Sequence, residues 1–528
     1  MLREEILWVL RNARQHATDP AVRTASGFAQ GGGRAEPVHR AQVGRWENGS
    51  VDVNHDLIRR YEQVLELPEG QLGCAIDHFS RLRTPVRPAP TIAPREAPDV
   101  EETLAFLERA VSPSRMRGID WDRLSGNLGR MPHAMVRSGD WEHLIRRCIL
   151  EMAVAVGLEY SLRAEAVARL AGHPRSGAVV ADMAADVLGD PGAQFYNDTV
   201  SLLQYTTHPA AVHVLMDQLR APTNDHALRA SLIALTTHLR ARQVSPRTAT
   251  EAAGLAVAHL RDPERPYPVH RGAANLLRSL ELPDSRRIAQ ALTAEDRRHV
   301  ASIIMEGRAV GVETLRTAQR RIRAALEQQP GRPGVRDAVL DRLLETALGS
   351  TNEEDRGNAL AILMISPQGS VVGRAYAAEL RSAHAAGDLV AQLESLSVLS
   401  WLGQPDDLDL FTDIACSPSA SSDLVMEAAI AAANCADPGS AARVAREERV
   451  HRRLADILSG GGDVASRAAP LRGLTYVLGM RSRFDLVEQL RRRLDDATPP
   501  VDPPVSEVAR GVFDWWLGLP AHIRPLSA

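Results

Sequence analysis

The sequence of 528 residues contains no lysine, so all 62 of its basic residues are arginine. Three enzyme classes need a lysine at a fixed place in the site, namely P-loop nucleotide hydrolases, pyridoxal-phosphate enzymes and protein kinases. The absence of lysine excludes all three. Arginine stays charged at any working pH, and its planar guanidinium group suits phosphate and guanine.

Cysteine is also scarce, and the four residues, Cys74, Cys148, Cys416 and Cys435, form no Cys-x-x-Cys pair. This spacing argues against a structural zinc site or a disulfide scaffold, and it favours a reducing compartment. The chain has no HExxH motif, no paired Cys/His spacing and no GxSxG elbow. We therefore expect no catalytic site, no metal and no cofactor, and we expect a protein that is not an enzyme.

Long apolar runs are missing as well, because no stretch of 18 apolar residues occurs and the first residues do not resemble a signal peptide. We therefore expect a cytoplasmic protein with no membrane contact. The formal net charge is only −4. Any contact with nucleic acid must therefore come from a local patch of positive charge.

Prolines mark one domain boundary, since five of them fall within residues 84–98. Proline removes a backbone donor and favours extended, semi-rigid chain. We predict an N-terminal domain at residues 1–80, a linker at 81–98 and a second domain at 99–528.

The N-terminal domain shows two amphipathic helices and no strand alternation. Leu2, Ile6, Leu10 and Ala13 share one helical face, and a second face is formed by Leu57, Ile58, Tyr61, Val64 and Leu65. The two helices bracket the segment from about residue 19 to residue 56. This pattern predicts a compact all-helical domain.

After the linker, an apolar helix, a short polar or Pro/Gly break and a second Ala/Leu-rich helix recur seven times. The last apolar residues before the breaks are Leu188, Leu219, Leu260, Leu348, Leu380, Ile414 and Leu458. One double step between them predicts a degenerate unit near Ile303 and Ile304. A single helix pair of this size cannot bury its own apolar face, but stacked neighbours can.

The repeat resembles HEAT or armadillo-like repeats across roughly residues 141–490. The resemblance implies an all-α protein whose second domain is an α-solenoid of HEAT-like helix pairs. An irregular globular helical domain is the alternative. Six aromatic and histidine residues at its start could line a ligand pocket or simply fill the core: Trp121, His133, Trp141, His143, Tyr160 and His173.

The segment at residues 37–49, PVHRAQVGRWENG, carries the chemistry of the N-terminal domain. In helical projection Val43 and Trp46 face the core with His39 beside them. The residues that point away are Ala41, Gly44, Arg45 and Asn48, and they are flanked by Arg40 and Gln42. A small and polar outer face is what a helix needs to enter a DNA major groove.

The run Val43, Arg45, Trp46, Glu47, Asn48 and Gly49 resembles the end of the recognition helix in Xre/Cro-family domains. The resemblance continues at residues 57–70, LIRRYEQVLELPEG, where that family places its fourth helix and the entry to a fifth. It implies a five-helix helix-turn-helix domain that binds double-stranded DNA.

Carried over position by position, the resemblance implies that Arg40, Ala41 and Arg45 face the bases, with Gln42 beside them and Asn48 at a phosphate. Glu47 is expected to hold an internal arginine such as Arg11 or Arg14 rather than DNA. The complete set of expected DNA-contacting residues is Arg34, His39, Arg40, Ala41, Gln42, Arg45 and Asn48.

The preceding helix departs from the family. Thr24 to Gln30 lies where a Thr-Gln start is usual, and Ala25 replaces the glutamine that would hold a phosphate. Three glycines at 31–33 then loosen the turn, and Arg34 could substitute for the lost phosphate contact. Residues 1–80 carry nine arginines against eleven acids, a charge of −2, so we expect binding that is specific and salt-sensitive but not strong.

These observations predict a transcriptional regulator whose helical body senses a peptide, a protein or a small ligand and mediates dimerisation. A homodimer is expected because such a domain usually needs two copies to grip DNA. Two alternatives stay open at this point. One is a protein-interaction scaffold with a degenerate DNA-binding head, and the other is a HEAT-like DNA-processing protein with clustered arginines and a buried acid on its inner surface.

Overall fold

The computed structural model describes the following residues: 2–83, 91–92, 98–190, 196–280, 300, 303–305, 307–308, 312–328, 337–436, 441–460, 464–497 and 501–524. Within these ranges the regular structure is helical and no strand is formed. The predicted all-α class is therefore confirmed.

Within these ranges the α-helices follow one another, and the described connections between them are turns and 3₁₀ segments. Their bounds are α1 (Leu2–Gln15), α2 (Ala25–Ala29), α3 (Arg40–Glu47), α4 (His55–Leu65), α5 (Gln71–Arg83), α6 (Val100–Val111), α7 (Gly118–Gly129), α8 (Ser138–Ala153), α9 (Gly157–Ala171), α10 (Gly177–Gly189), α11 (Tyr196–Ser201), α12 (Pro209–Arg220), α13 (Asp225–Arg240), α14 (Pro246–Arg261), α15 (Tyr267–Ser279), α16 (Val312–Glu327), α17 (Ala338–Gly349), α18 (Glu353–Met364), α19 (Gly369–Ala386), α20 (Leu389–Leu402), α21 (Leu408–Cys416), α22 (Ser422–Asn434), α23 (Ala441–Ser459), α24 (Val464–Met480), α25 (Phe484–Asp495) and α26 (Pro503–Leu517).

Residues 2–83, which we call the head, hold five helices. Side chains at the N-caps define three of their starts, because Thr24, His39 and Asn54 each accept a hydrogen bond from a backbone N–H in the first turn. The predicted apolar face of α4 is buried at all five positions. The predicted apolar face of α4 is thus confirmed, whereas on α1 Leu10 and Ala13 are buried and Leu2 and Ile6 are half-buried.

Residues 98–524, which we call the body, are built from helix pairs. All seven predicted anchor residues are at most 3% exposed, and each lies in the C-terminal half of the first helix of a pair. The second helices of successive pairs pack on one another. Helix α13 packs on α15, α18 packs on α20, α20 packs on α22, and α22 packs on α24. Ile303 and Ile304 are buried too, but most of the predicted degenerate unit lies outside the described residues.

The head packs directly on the body. Helix α5 lies against α18 and α9, and the apolar core of the head continues into body residues between 315 and 402. The indole N–H of Trp8 donates to Asp337 at 2.7 Å, and the Asn12 and Gln368 side-chain amides exchange two hydrogen bonds. Apolar burial across this contact holds the head in one position on the body.

The predicted linker starts at residue 81, but α5 continues to Arg83, so the two overlap by three residues. The helix extends this far because its apolar face continues to Phe79 and Leu82. Residues 84–90 and 93–97 of that linker lie outside the described residues. The division into domains at 80 and 98 stays a prediction. No helix in the described ranges combines the length and the apolar character that a membrane crossing requires.

Candidate nucleic-acid interface

Helix α3 is short and its two ends are fixed by side chains. His39 Nδ1 accepts a hydrogen bond from the Ala41 backbone N–H at 3.2 Å, so the histidine caps the start of the helix. At the other end Asn48 Oδ1 accepts from the backbone N–H of Ser50 at 2.9 Å. Gly49 follows with φ 79°, a left-handed conformation that glycine adopts without strain.

The outer face of α3 matches the helical projection. Arg40, Ala41, Gly44, Arg45 and Asn48 are exposed, whereas Val43 is fully buried. Neither Arg40 nor Arg45 has a hydrogen bond or an ion pair with any residue that the structure describes. Both guanidinium groups are therefore available to a ligand.

Three other residues of this segment, His39, Gln42 and Trp46, differ in how far they are exposed. His39 is exposed at the helix start, so the expectation that it lies beside the core with Val43 is wrong. It faces solvent because its ring caps α3 instead of packing inward. Gln42 is half-buried, and so is Trp46, which lies edge-on to Tyr61 with ring centroids 6.5 Å apart.

Glu47 holds α3 against the rest of the head. Both of its carboxylate oxygens accept from the Arg14 guanidinium, at 2.6 and 2.7 Å, and the Tyr61 hydroxyl donates to it at 3.0 Å. The prediction that Glu47 binds an internal arginine is confirmed for Arg14. Burial opposes the charge of Arg14, but the hydrogen bonds and charge of Glu47 outweigh it and raise the pKa of Arg14.

Arg34 is engaged within the head. Its guanidinium lies 2.7 Å from a Glu66 oxygen and 3.4 Å from an Asp19 oxygen, and it also donates to the Val64 carbonyl. The hydrogen bond to Glu66 is the main reason that the pKa of Arg34 is raised. A phosphate at this position would have to compete with two carboxylates, so the structure does not favour Arg34 as the substitute clamp.

The outer face of α3 stays open while the head is docked. Helix α3 packs on α1 and α2, whereas the body is contacted by α5 and by Trp8 and Asn12 of α1. The body therefore fixes the orientation of the head without covering Arg40 and Arg45.

Buried charges join the head to the body through α5. Asp77 pairs with Arg169, Arg81 donates to Glu165 at 2.6 and 2.8 Å, and His78 Nδ1 lies 2.9 Å from Asn358 Oδ1. Burial opposes the charge of Glu165, but Arg81 and His78 lower its pKa to about 2. Sequence reasoning missed these residues, although polar positions within an otherwise apolar α5 were a signal of a buried partner.

The second helices of the pairs in the body carry another set of charges, which are buried at Arg271, Arg356 and Glu394 and half-buried at the rest. Arg229 lies 3.1 Å from both Glu353 and Glu427, and Glu394 receives Arg271 at 2.7 Å and Arg356 at 3.0 Å. Clustered arginines and buried acids are thus present, as the DNA-processing alternative requires. These arginines already face carboxylates, however, and such pairs offer little positive charge to a DNA backbone.

Two adjoining cavities lie beside these charges, with volumes of about 190 and 330 Å³. Tyr160 lines both, as one reading of the aromatic block predicts, whereas Trp121 and Trp141 are buried in the core. Within the described ranges no group of three His, Cys, Asp or Glu side chains is placed to hold a metal ion.

Comparison with protein-family models, with curated proteins and with solved structures found no significant match to this chain.

Proposed function

We propose that this chain is a sequence-specific DNA-binding transcriptional regulator, with a helix-turn-helix head carried on a HEAT-like α-solenoid body. The observation that carries the proposal is the outer face of α3, where Arg40 and Arg45 are exposed and have no partner in the described part of the chain. Other arginines of the head, such as Arg14 and Arg34, are held by acids. Arg59 of α4 is exposed and unpaired among the described residues too, but Arg40 and Arg45 share one exposed helix face with Ala41 and Gly44, and that combination suits a ligand outside the chain.

The geometry fits insertion of α3 into a major groove. Ala41 and Gly44 place no bulky side chain on the outer face, so the helix backbone can approach the base edges closely. Arg40 or Arg45 would then donate two hydrogen bonds to O6 and N7 of a guanine, which is worth about 1 to 3 kcal/mol of discrimination for each good pair. The pair between Arg14 and Glu47 keeps α3 at a fixed angle during this contact.

Two copies of the chain are expected on one operator, because a single head offers few contacts to phosphate. The body is the part that would bring two heads together and bind a regulatory peptide, protein or small ligand. Since the head is docked rather than free, the spacing of two heads would follow from the body and set the distance between half-sites.

The test is selection from a random duplex library with the full-length protein, followed by affinity measurements at fixed salt. We expect one sequence class to be enriched, and we expect Arg45→Ala to weaken binding to it by about 1 to 3 kcal/mol. Arg115→Ala is the control, because Arg115 is an exposed arginine of the body. Failure to enrich any sequence would overturn the proposal and favour the interaction scaffold.

A further inference from the structure

The smaller of the two cavities lies where the head meets the body. Helix α5 of the head supplies His78 and Arg81 to its lining, and the body supplies residues of α9, α13, α18 and α20. Its volume of about 190 Å³ admits only a small molecule. The charges around the cavity indicate which kind of molecule fits it.

Glu354 is an acid of this lining that has no arginine beside it. Its half-buried carboxylate accepts from the Tyr205 hydroxyl at 2.8 Å and from the Gln204 side-chain amide at 3.1 Å, with a longer contact to the Asn358 amide at 3.4 Å. All three donors are neutral, and no described arginine lies within ion-pair distance. The N-terminus of α18 offsets only part of a full negative charge.

The ion pairs around the cavity also hold more acids than arginines. Their members are Arg81 with Glu165, Arg169 with Asp77 and Asp122, and Arg229 with Glu353 and Glu427. With Glu354, six acids thus surround three arginines. Protonation of His78, which lies 3.4 Å from Glu165, would add one positive charge and would not close this gap. Burial raises the pKa of Asp77, and the charges of Glu165 and Asp122 raise it further, as expected where positive charge is short.

The larger cavity differs in this respect. There Arg271 and Arg356 face a single acid, Glu394, at 2.7 and 3.0 Å. A cation is therefore attracted to the smaller cavity and not to that side of the larger one.

The other side chains of the lining favour an organic cation over a metal ion. In the part of the chain that the structure describes, no three His, Cys, Asp or Glu side chains are placed to hold a metal. Aromatic rings line the cavity instead, at Tyr160, Tyr205 and Trp401. The Arg81 guanidinium already lies over the Tyr205 ring, 4.8 Å from its centroid, which leaves Tyr160 and Trp401 for a ligand. Alkylammonium ions are attracted to such rings by cation–π interactions.

We propose that the smaller cavity is a binding site for a small alkylammonium ion. The positive nitrogen lies beside Glu354, and the alkyl groups contact Tyr160 and Trp401. The ligand supplies the positive charge that the surrounding acids lack, so binding is driven by charge and not by apolar contact alone. The site does not depend on the proposed function.

The binding test uses the full chain and choline as the probe, measured by isothermal titration calorimetry at low salt. The alcohol 3,3-dimethylbutanol has the same shape with carbon in place of the charged nitrogen, and 3,3-dimethylbutyrate carries a negative charge. We expect choline to bind at least about tenfold more tightly than the alcohol, and we expect no binding of the anion. No binding of choline, or equally tight binding of either comparator, overturns the proposal.

Removing the charge of Glu354 tests its role. Glu354→Gln keeps the size of the side chain, and we expect it to weaken choline binding at least about tenfold while the weaker affinity for the alcohol stays unchanged. A variant that merely disturbed the cavity would change both affinities. Glu264→Gln is the matched control, because Glu264 is an exposed acid in the turn before α15. Unchanged choline binding in Glu354→Gln overturns the assignment of the site to Glu354.

Filling the cavity tests the location and decides the question if Glu354→Gln does not fold. Gly357 lines the cavity, and a Cβ there would meet only Trp401, at 3.8 Å, so Gly357→Leu has room to enter. We expect this variant to lose choline binding at least about tenfold. Gly254→Leu is its control, because Gly254 is an exposed glycine inside α14 with open space around it. Retained binding in Gly357→Leu overturns the location, and since no measurement involves DNA, the result stands whether or not a duplex is selected.

Discussion

Helices α3 and α5 belong to the same head and both carry arginines, but the two helices use them in opposite ways. On α3, Arg40 and Arg45 are exposed and have no partner among the described residues. On α5, Arg81 is 5% exposed and donates twice to Glu165 of the body. In a chain without lysine the residue type alone carries no functional information, and the partner decides the role of each arginine.

The largest expected effect on stability comes from removing the buried ion pair between Arg81 and Glu165. Arg81→Ala leaves Glu165 buried without its main partner, and we expect the free energy of unfolding to fall by about 3 to 5 kcal/mol. Urea denaturation measures the change. Arg59→Ala removes an exposed arginine of α4 with no described partner and should have little effect. Equal losses in the two variants would show that the α5 pair is not structurally important.

The pH dependence sharpens the same comparison. In the folded chain the pKa of Glu165 is lowered to about 2 from an ordinary value of 4.5. The unfolded chain therefore binds more protons as the pH falls, and the stabilisation that is complete above about pH 4.5 is lost between pH 4.5 and 2. We expect the stability difference between wild type and Glu165→Gln to shrink over this range. A constant difference from pH 7 to pH 3 would contradict this assignment.

The smallest expected effect concerns Arg34, which lies between the two cases. Its ion pairs with Glu66 and Asp19 are near the surface, so they contribute little to stability. We expect Arg34→Ala to change both the unfolding midpoint and the affinity for the selected duplex only slightly. A loss of affinity as large as that of Arg45→Ala would restore Arg34 as a phosphate contact and blur the distinction between free and paired arginines.

Local patterns predicted the helices of this chain well. The apolar spacing of α4 and the seven anchor residues of the body are buried as expected, because amphipathic periodicity reports which side of a helix leaves water. The pair between Arg14 and Glu47 was also within reach, since both lie on helices of one small unit. His39 was misplaced because a residue just before a helix follows capping geometry and not the helical projection.

Contacts between distant segments were not predictable in the same way. The packing of α5 on α18 joins residues almost 300 positions apart, as the hydrogen bond between His78 and Asn358 illustrates. The two cavities beside Gly357 likewise depend on residues from α5 to α24 that meet only in the folded chain. The periodicity of a single sequence does not indicate which distant segments come into contact.

The sequence by itself determined the all-helical class, the repeated helix pairs and the outward position of Arg40 and Arg45, because these follow from spacing along one helix. Only the tertiary structure decided that the head is docked on the body, that Arg34 and Arg81 are paired, and that a polar space opens beside Trp401. Each of these depends on which acid or ring another part of the chain brings within a few ångströms, and charge pairing and burial are set at that distance.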